Sequence, residues 1–154
     1  MRHGHALTAR EAGVPSDPER PLSPLGERET LETARHLGAS GFVPDLIISS
    51  PFLRADRTAA IAAGVFPGAS RRTNTALSDG QLGALLDLAQ QFPPGSSRIL
   101  LVGHQPLLGA VAGLLLGGEV FDLSPAGFVR LKTDGNEDSS LVEFYAPPPE
   151  GKNR

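Results

Sequence analysis

Three short stretches carry the side chains of this sequence best suited to chemistry. Arg2-His3-Gly4 crowds a guanidinium, an imidazole and a glycine together, Arg54 stands just inside a helix start, and His104 follows an apolar run. A neutral imidazole is a good nucleophile near pH 7. A guanidinium offers a planar fork that matches phosphate oxygens. Arg54 would lie in the first turn of its helix, where a cation opposes the helix dipole, and an adjacent anion offsets that cost. Each residue also has a plainer reading: Arg54 as an exposed arginine, His104 as a hydrogen-bonded buried histidine, His3 as an exposed terminal one. Taken together they suit one phosphoryl group.

The elements that must position them can be read from punctuation and period. His3 to Pro21, with Gly13, Pro15 and Pro18, predicts an irregular surface loop. Ser23-Pro24 supplies an N-cap and a first helical residue, Leu31, Ala34 and Leu37 keep helical spacing, and Gly38 with Gly41 marks the stop. His36 on this helix is expected to face solvent. Asp45 to Ser49 predicts a buried strand, and Ser50-Pro51 repeats the cap-plus-proline signal for a helix through Arg54, Thr58 and Ala62 to Gly64. Arg71 to Thr75 fits a strand or a loop.

Leu82, Leu85, Leu86 and Ala89 form the stripe of a third helix, stopped by Pro93-Pro94-Gly95. Arg98 to Gly103 is a buried strand ending at His104, and Pro106 opens a fourth helix that is apolar on nearly every face as far as Leu116. Residues 127–133 and 140–145 alternate around Asp134-Gly135-Asn136 as a β-hairpin. Residues 1–146 form one domain, with a disordered tail over 147–154. The order predicts an α/β three-layer sandwich: a largely parallel central sheet, helices on both faces and an antiparallel C-terminal hairpin. In such sheets ligands bind at the carboxyl ends of the strands, where two helix N-termini would face an anion.

Composition narrows the field. The chain has 154 residues and a net charge of −3, with no run of lysine or arginine to suggest nucleic acid as a partner. It has no cysteine, which removes disulfide and thiol chemistry. The N-terminus lacks a signal-peptide core, and the longest apolar stretch, Leu107 to Leu116, is too short to span a bilayer. No membrane association and a cytoplasmic location are therefore expected. His3 and His5 have a spacing that would suit a metal on a strand, but no carboxylate nearby completes a set, so neither a metal nor another cofactor is expected.

Arg2-His3-Gly4, Arg20-Pro21-Leu22-Ser23 with Gly26, Ser49-Ser50-Pro51-Phe52-Leu53-Arg54-Ala55 with Thr58, and Val102-Gly103-His104-Gln105-Pro106 together resemble the histidine phosphatase superfamily. The wording is similar to its SixA branch of phosphohistidine phosphatases. The resemblance implies that His3 accepts the phosphoryl group and that Arg2, Arg54 and His104 hold its oxygens, with Gly4, Arg20 and Gln105 as substrate-binding neighbours. It implies a phosphorylated protein, or a small phosphorylated molecule, as partner.

Two departures from the pattern matter. Where many members carry an acidic general acid, Thr75-Ala76-Leu77-Ser78-Asp79 puts Ala76, with Asp79 a distant substitute. An alkoxide leaves poorly without protonation, whereas the imidazole of a phosphohistidine leaves far more easily, so the gap suits phosphohistidine. Small-molecule phosphomonoesterase activity and non-catalytic phospho-ligand binding are the alternatives. The family also places a buried strand ahead of Arg-His-Gly, and only Met1 precedes Arg2 here. A missing first strand, from a misplaced start or a truncation, is the expectation.

Overall fold

The computed structural model describes residues 1–93, 97–133 and 138–150. Helices α1 (Ala9–Ala12), α2 (Pro24–Ala39) and α3 (Leu53–Val65), strands β1 (Leu46–Ser49) and β2 (Ser70–Thr73), helix α4 (Leu82–Gln90), strand β3 (Ile99–Val102), helix α5 (Leu107–Leu115) and strands β4 (Phe128–Thr133) and β5 (Ser139–Tyr145) follow along the chain. Single 3-10 turns lie at Asp17–Glu19 and Thr75–Leu77.

The three central strands are parallel, in the order β2-β1-β3, and β4 pairs antiparallel with β5 in a second sheet. Alternation along β1 shows the layering. Ile47 enters a core with Ala34, Leu37, Ala59 and Phe128, whereas Ile48 enters another with Leu85, Leu88, Leu108 and Val111. Thus α2 and α3 cover one face of the sheet and α4 and α5 the other, as expected of a three-layer α/β sandwich.

Several boundaries differ from the sequence reading, each for a local reason. The expected loop before Pro21 holds the short α1, because Thr8 and Glu11 form a reciprocal capping box and Gly13 ends the turn in a left-handed conformation at φ 68°. Helix α3 begins at Leu53, with Phe52 as its N-cap residue. Ser50 does not cap it, since its hydroxyl accepts the Phe52 N–H and meets His104. Of residues 71–75, expected as a strand or a loop, Arg71 to Thr73 belong to the exposed edge strand β2, and Asn74 caps the 3-10 turn that begins at Thr75. His36 does not simply face solvent: its ring stacks on Tyr145 at 4.1 Å and Nε2 lies 2.7 Å from Glu143. The expected hairpin turn at 134–136 and the Pro94-Gly95 stop lie outside the described residues. Of the tail, Glu150 pairs with Arg28 at 2.8 Å, and 151–154 lie outside the described residues.

Met1, Arg2 and His3 join the two sheets. On one side the Met1 amino group donates to Leu101 O, Gly103 N–H to Met1 O and His3 N–H to Gly103 O; on the other, Arg2 N–H donates to Gly127 O and Ala126 N–H to His3 O. These residues run parallel to β3, with Arg2 bridged to Gly103. Beyond Met1 the two sheets part around an apolar groove of about 550 Å³ lined by Leu37, Leu100, Val111, Leu123 and Phe128, with Met1 at its end. The Met1 ammonium is buried there, and the lost hydration pushes its pKa down to about 5.

The groove leads to a test. Adding about five apolar, β-branched residues ahead of Met1, the usual length of a strand, is expected to fill it and raise the thermal midpoint of unfolding. An unchanged midpoint in the extended protein would show that the groove does not accept a strand.

Candidate active site

Four of the predicted residues meet where β1, β3 and the Met1–His3 segment end. His3 follows directly on the backbone bonds to Gly103 and Ala126. His104 continues from Gly103, one residue past β3, and Arg54 comes from the first turn of α3. The His3 and His104 ring centroids are 5.1 Å apart, and Arg54 Nε lies 3.2 Å from His3 Nε2.

Small residues let the backbone close up behind the nucleophile candidate. A Cβ on Gly4 would lie 2.6 Å from Thr30 Oγ1 and 2.8 Å from Gly26 O, and one on Gly26 would collide with the His5 carbonyl. The segment after His3 therefore packs directly on the start of α2, where Ser23 Oγ accepts the Gly26 N–H and caps the helix. Thr58 Oγ1 accepts the Gly4 N–H and returns its own proton to Arg54 O, tying α3 to the same segment.

His3 is buried, with 8% exposure. Its Nδ1 lies 2.7 Å from Gly4 O, and since a carbonyl can only accept, Nδ1 carries the hydrogen. Nε2 is thereby left with its lone pair, toward which Arg54 Nε–H is directed. Burial pushes the His3 pKa down to about 3; His104, Arg54 and Arg2 lower it further, against the Gly4 carbonyl, which raises it. The ring is neutral throughout the ordinary pH range.

His104 is also held neutral, its pKa lowered to about 4 by burial and then by Arg54 and Arg2, with Asp17 pulling the other way. Its Nε2 lies 2.7 Å from Ser50 Oγ, and its Nδ1 is buried without a protein partner. Arg2 donates from Nη1 to Leu123 O at 3.0 Å, while its Nε is likewise buried and unpartnered. Burial lowers the Arg2 pKa, against the attraction of Asp122. Two cations and two orphaned buried nitrogens beside one unprotonated imidazole nitrogen form a surround that an oxyanion would satisfy.

The remaining predicted residues are placed differently. The Gly4 N–H is committed to Thr58. Gln105 uses both ends of its amide on backbone, donating to Phe121 O and accepting from Gly109 N–H. Arg20 donates to Leu7 O through Nε and pairs with Asp17 through Nη1 at 2.9 Å. Asp79 lies on an exposed turn, 3.4 Å from Ser78 Oγ. The carboxylate paired with Arg54 in this cluster, at 3.1 Å, is Asp17 on the 3-10 turn, which the sequence reading did not single out. Its signal was there in Ser16-Asp17-Pro18, a turn-forming triplet just ahead of the Arg20 motif. Among the described residues no three His, Asp or Glu side chains gather in a way that could hold a metal ion. No described helix is long and apolar enough to cross a membrane.

Residues 1–92 match the model of the histidine phosphatase superfamily (branch 1). The chain is 33% identical over 153 residues to an uncharacterized protein of Picosynechococcus sp., covering 93% of each. It superimposes on the crystal structure of a candidate phosphohistidine phosphatase SixA from Agrobacterium tumefaciens with a TM-score of 0.82 and 25% identity, covering 96% of this chain and 95% of that one. The protein histidine phosphatase SixA in complex with tungstate matches in fold, with a TM-score of 0.82 at 24% identity over 96% of this chain and 94% of that chain.

The buried neutral histidines set a pH dependence of stability. Their folded pKa values, about 3 and about 4, lie below the unfolded value near 6.5, so the unfolded chain binds more protons between these limits. Stability is therefore expected to fall as pH drops from about 6.5 toward 4. Urea unfolding at stepped pH measures the slope, and a His3→Ala, His104→Ala double variant should make it shallower, leaving the contribution of the buried Met1 ammonium above about pH 5.

Proposed function

The chain belongs to the histidine phosphatase superfamily and is SixA-like, and from that premise we propose that it hydrolyses phosphohistidine on a protein through a phospho-His3 intermediate. The observation that carries this reading is the state of His3: Nδ1–H is fixed on Gly4 O, Nε2 carries no proton and accepts only the Arg54 Nε–H, which a phosphoryl oxygen can take over, and burial keeps the ring neutral. Such an imidazole is poised to attack phosphorus.

In the first step His3 Nε2 bonds to phosphorus, and the electron pair of the breaking P–N bond leaves with the substrate imidazole, which takes up a proton from solvent. In the second, water attacks phosphorus, the P–Nε2 bond breaks, and His3 recovers its lone pair as inorganic phosphate departs with the water's oxygen. Phosphoryl transfer needs mainly alignment and charge stabilisation. Arg2 and Arg54 supply cationic N–H donors to the equatorial oxygens, and the unpartnered His104 Nδ1 supplies another when it carries a proton. A bound dianion also favours protonated His104, opposing the lowering that burial, Arg54 and Arg2 cause.

The choice of phosphohistidine over an alkyl ester rests on leaving-group chemistry. Ala76 stands on the 3-10 turn where the family pattern offers an acid, and Asp17 is kept ionised by Arg20 and Arg54. Neither can protonate an alkoxide.

Acid-quenched trapping with a labelled phosphohistidine protein is expected to capture a phosphoenzyme in the wild type and none in His3→Ala. Turnover of the phosphohistidine protein should exceed that of an alkyl phosphate such as phosphoserine by about a hundredfold or more, the scale of one general-acid contribution. Equal turnover of the two would favour a phosphomonoesterase, and no trapped label on the wild type would leave a binding module.

A further inference from the structure

The Asp17–Arg54 contact is more than a surface ion pair. Arg54 is buried, with 8% side-chain exposure, whereas Asp17 is 55% exposed on a three-residue turn. Arg54 gives Nη1–H to Asp17 O at 2.8 Å, Nη2–H to Asp17 Oδ2 at 3.1 Å and Nε–H to His3 Nε2. Three of its five N–H groups are thus spoken for, and one on each terminal nitrogen remains for a ligand. The second carboxylate oxygen, Oδ1, is held by Arg20, itself anchored on Leu7 O.

We propose that Asp17 is the positioning residue for Arg54: a carboxylate clamped between two guanidiniums that fixes the plane of Arg54 against His3 and aims its two free N–H groups at the phosphoryl oxygens. The proposal rests on the reading in which His3 accepts the phosphoryl group.

Three observations carry it. Arg54 sits in the first turn of α3, where the dipole repels it, and Arg2 adds a second cation nearby, so without a counter-anion its side chain would be pushed outward. Asp17 contacts Arg54 through both main chain and side chain, a two-point attachment that sets orientation as well as charge. Arg20 then has a defined part: it orients Asp17 from outside and does not itself contact His3 or Arg54. Asp17 cannot serve as a general acid from this position, because the two arginines hold its carboxyl below the usual carboxylate range.

The expected split separates positioning from binding and from stability. Asp17→Ala should lower turnover of the phosphohistidine protein by about ten- to a hundredfold, the scale of a misaligned catalytic group. Inhibition by vanadate, which imitates the phosphoryl group in transfer and needs the same aligned N–H groups, should weaken along with turnover, whereas binding of inorganic phosphate should change little. Asp17→Asn keeps an acceptor oxygen for Arg54 and should recover part of the loss; Arg20→Ala should show a smaller loss of the same kind. Thermal midpoints should fall by only a few degrees, because Arg54 loses its counter-anion but keeps the Asp17 main-chain oxygen.

A readout independent of catalysis is the Arg54 Nε–H signal in nitrogen-15 NMR of the empty protein, expected to be ordered in wild type and mobile in Asp17→Ala. Wild-type turnover in Asp17→Ala, or an Arg54 Nε–H that remains ordered there, overturns the proposal. If the wild type itself yields no phosphoenzyme, the functional reading fails, and the Arg54 signal still decides whether Asp17 positions it.

Discussion

The backbone ladder of Met1, Arg2 and His3 is the constraint on which the rest of this structure depends. Those three residues form hydrogen bonds to the end of β3 on one side and to Ala126 and Gly127 on the other, so a single short extended segment couples two sheets that otherwise do not pair. His3 belongs to that ladder, and the position of its imidazole therefore follows the sheet rather than a mobile terminus. The arrangement also strains its neighbours. Ala126 is fully buried at φ 62°, a conformation costing a non-glycine residue about 1 kcal/mol, and its N–H is the one that reaches His3 O.

Electrostatics sets the second constraint. Arg2 and Arg54 approach two histidines in a partly dehydrated site, where unscreened positive charge is unfavourable and neutral imidazole is favoured. The charge pattern that would welcome a phosphoryl group is the same one that keeps His3 unprotonated. Asp17 relieves part of the excess without entering the ladder, and it does so from a turn half open to solvent. Rigidity and charge thus come from different parts of the chain: the strands hold the imidazoles, while the Asp17–Glu19 turn and α3 hold the guanidinium.

Individual residues show how much could be read without coordinates. Ser23-Pro24 opened α2 as expected, since an N-cap hydroxyl and a proline at the first position act within one turn. Ser50-Pro51 carried the same wording and misled, because the Ser50 hydroxyl is drawn to His104 across 54 positions and α3 starts later. Gln105 looked like a ligand contact by its neighbourhood, yet both ends of its amide brace the turn around Phe121 and Gly109. A polar residue next to a reactive one in sequence can as readily serve the backbone that supports it.

By itself the sequence determined the order of the longer helices and central strands, the two-sided apolar pattern of those strands and the placing of His104 and Arg54 at element ends. All of these follow from periodicity and capping, interactions that reach no further than a few residues. Only the tertiary structure decided which carboxylate meets Arg54, which imidazole nitrogen stays unprotonated and where the two sheets part, because each depends on groups far apart in the chain. Asp17 and Arg54 are 37 positions apart and Leu101 lies 100 from Met1. Closing such distances depends on the packing of every element between them, which no local pattern encodes.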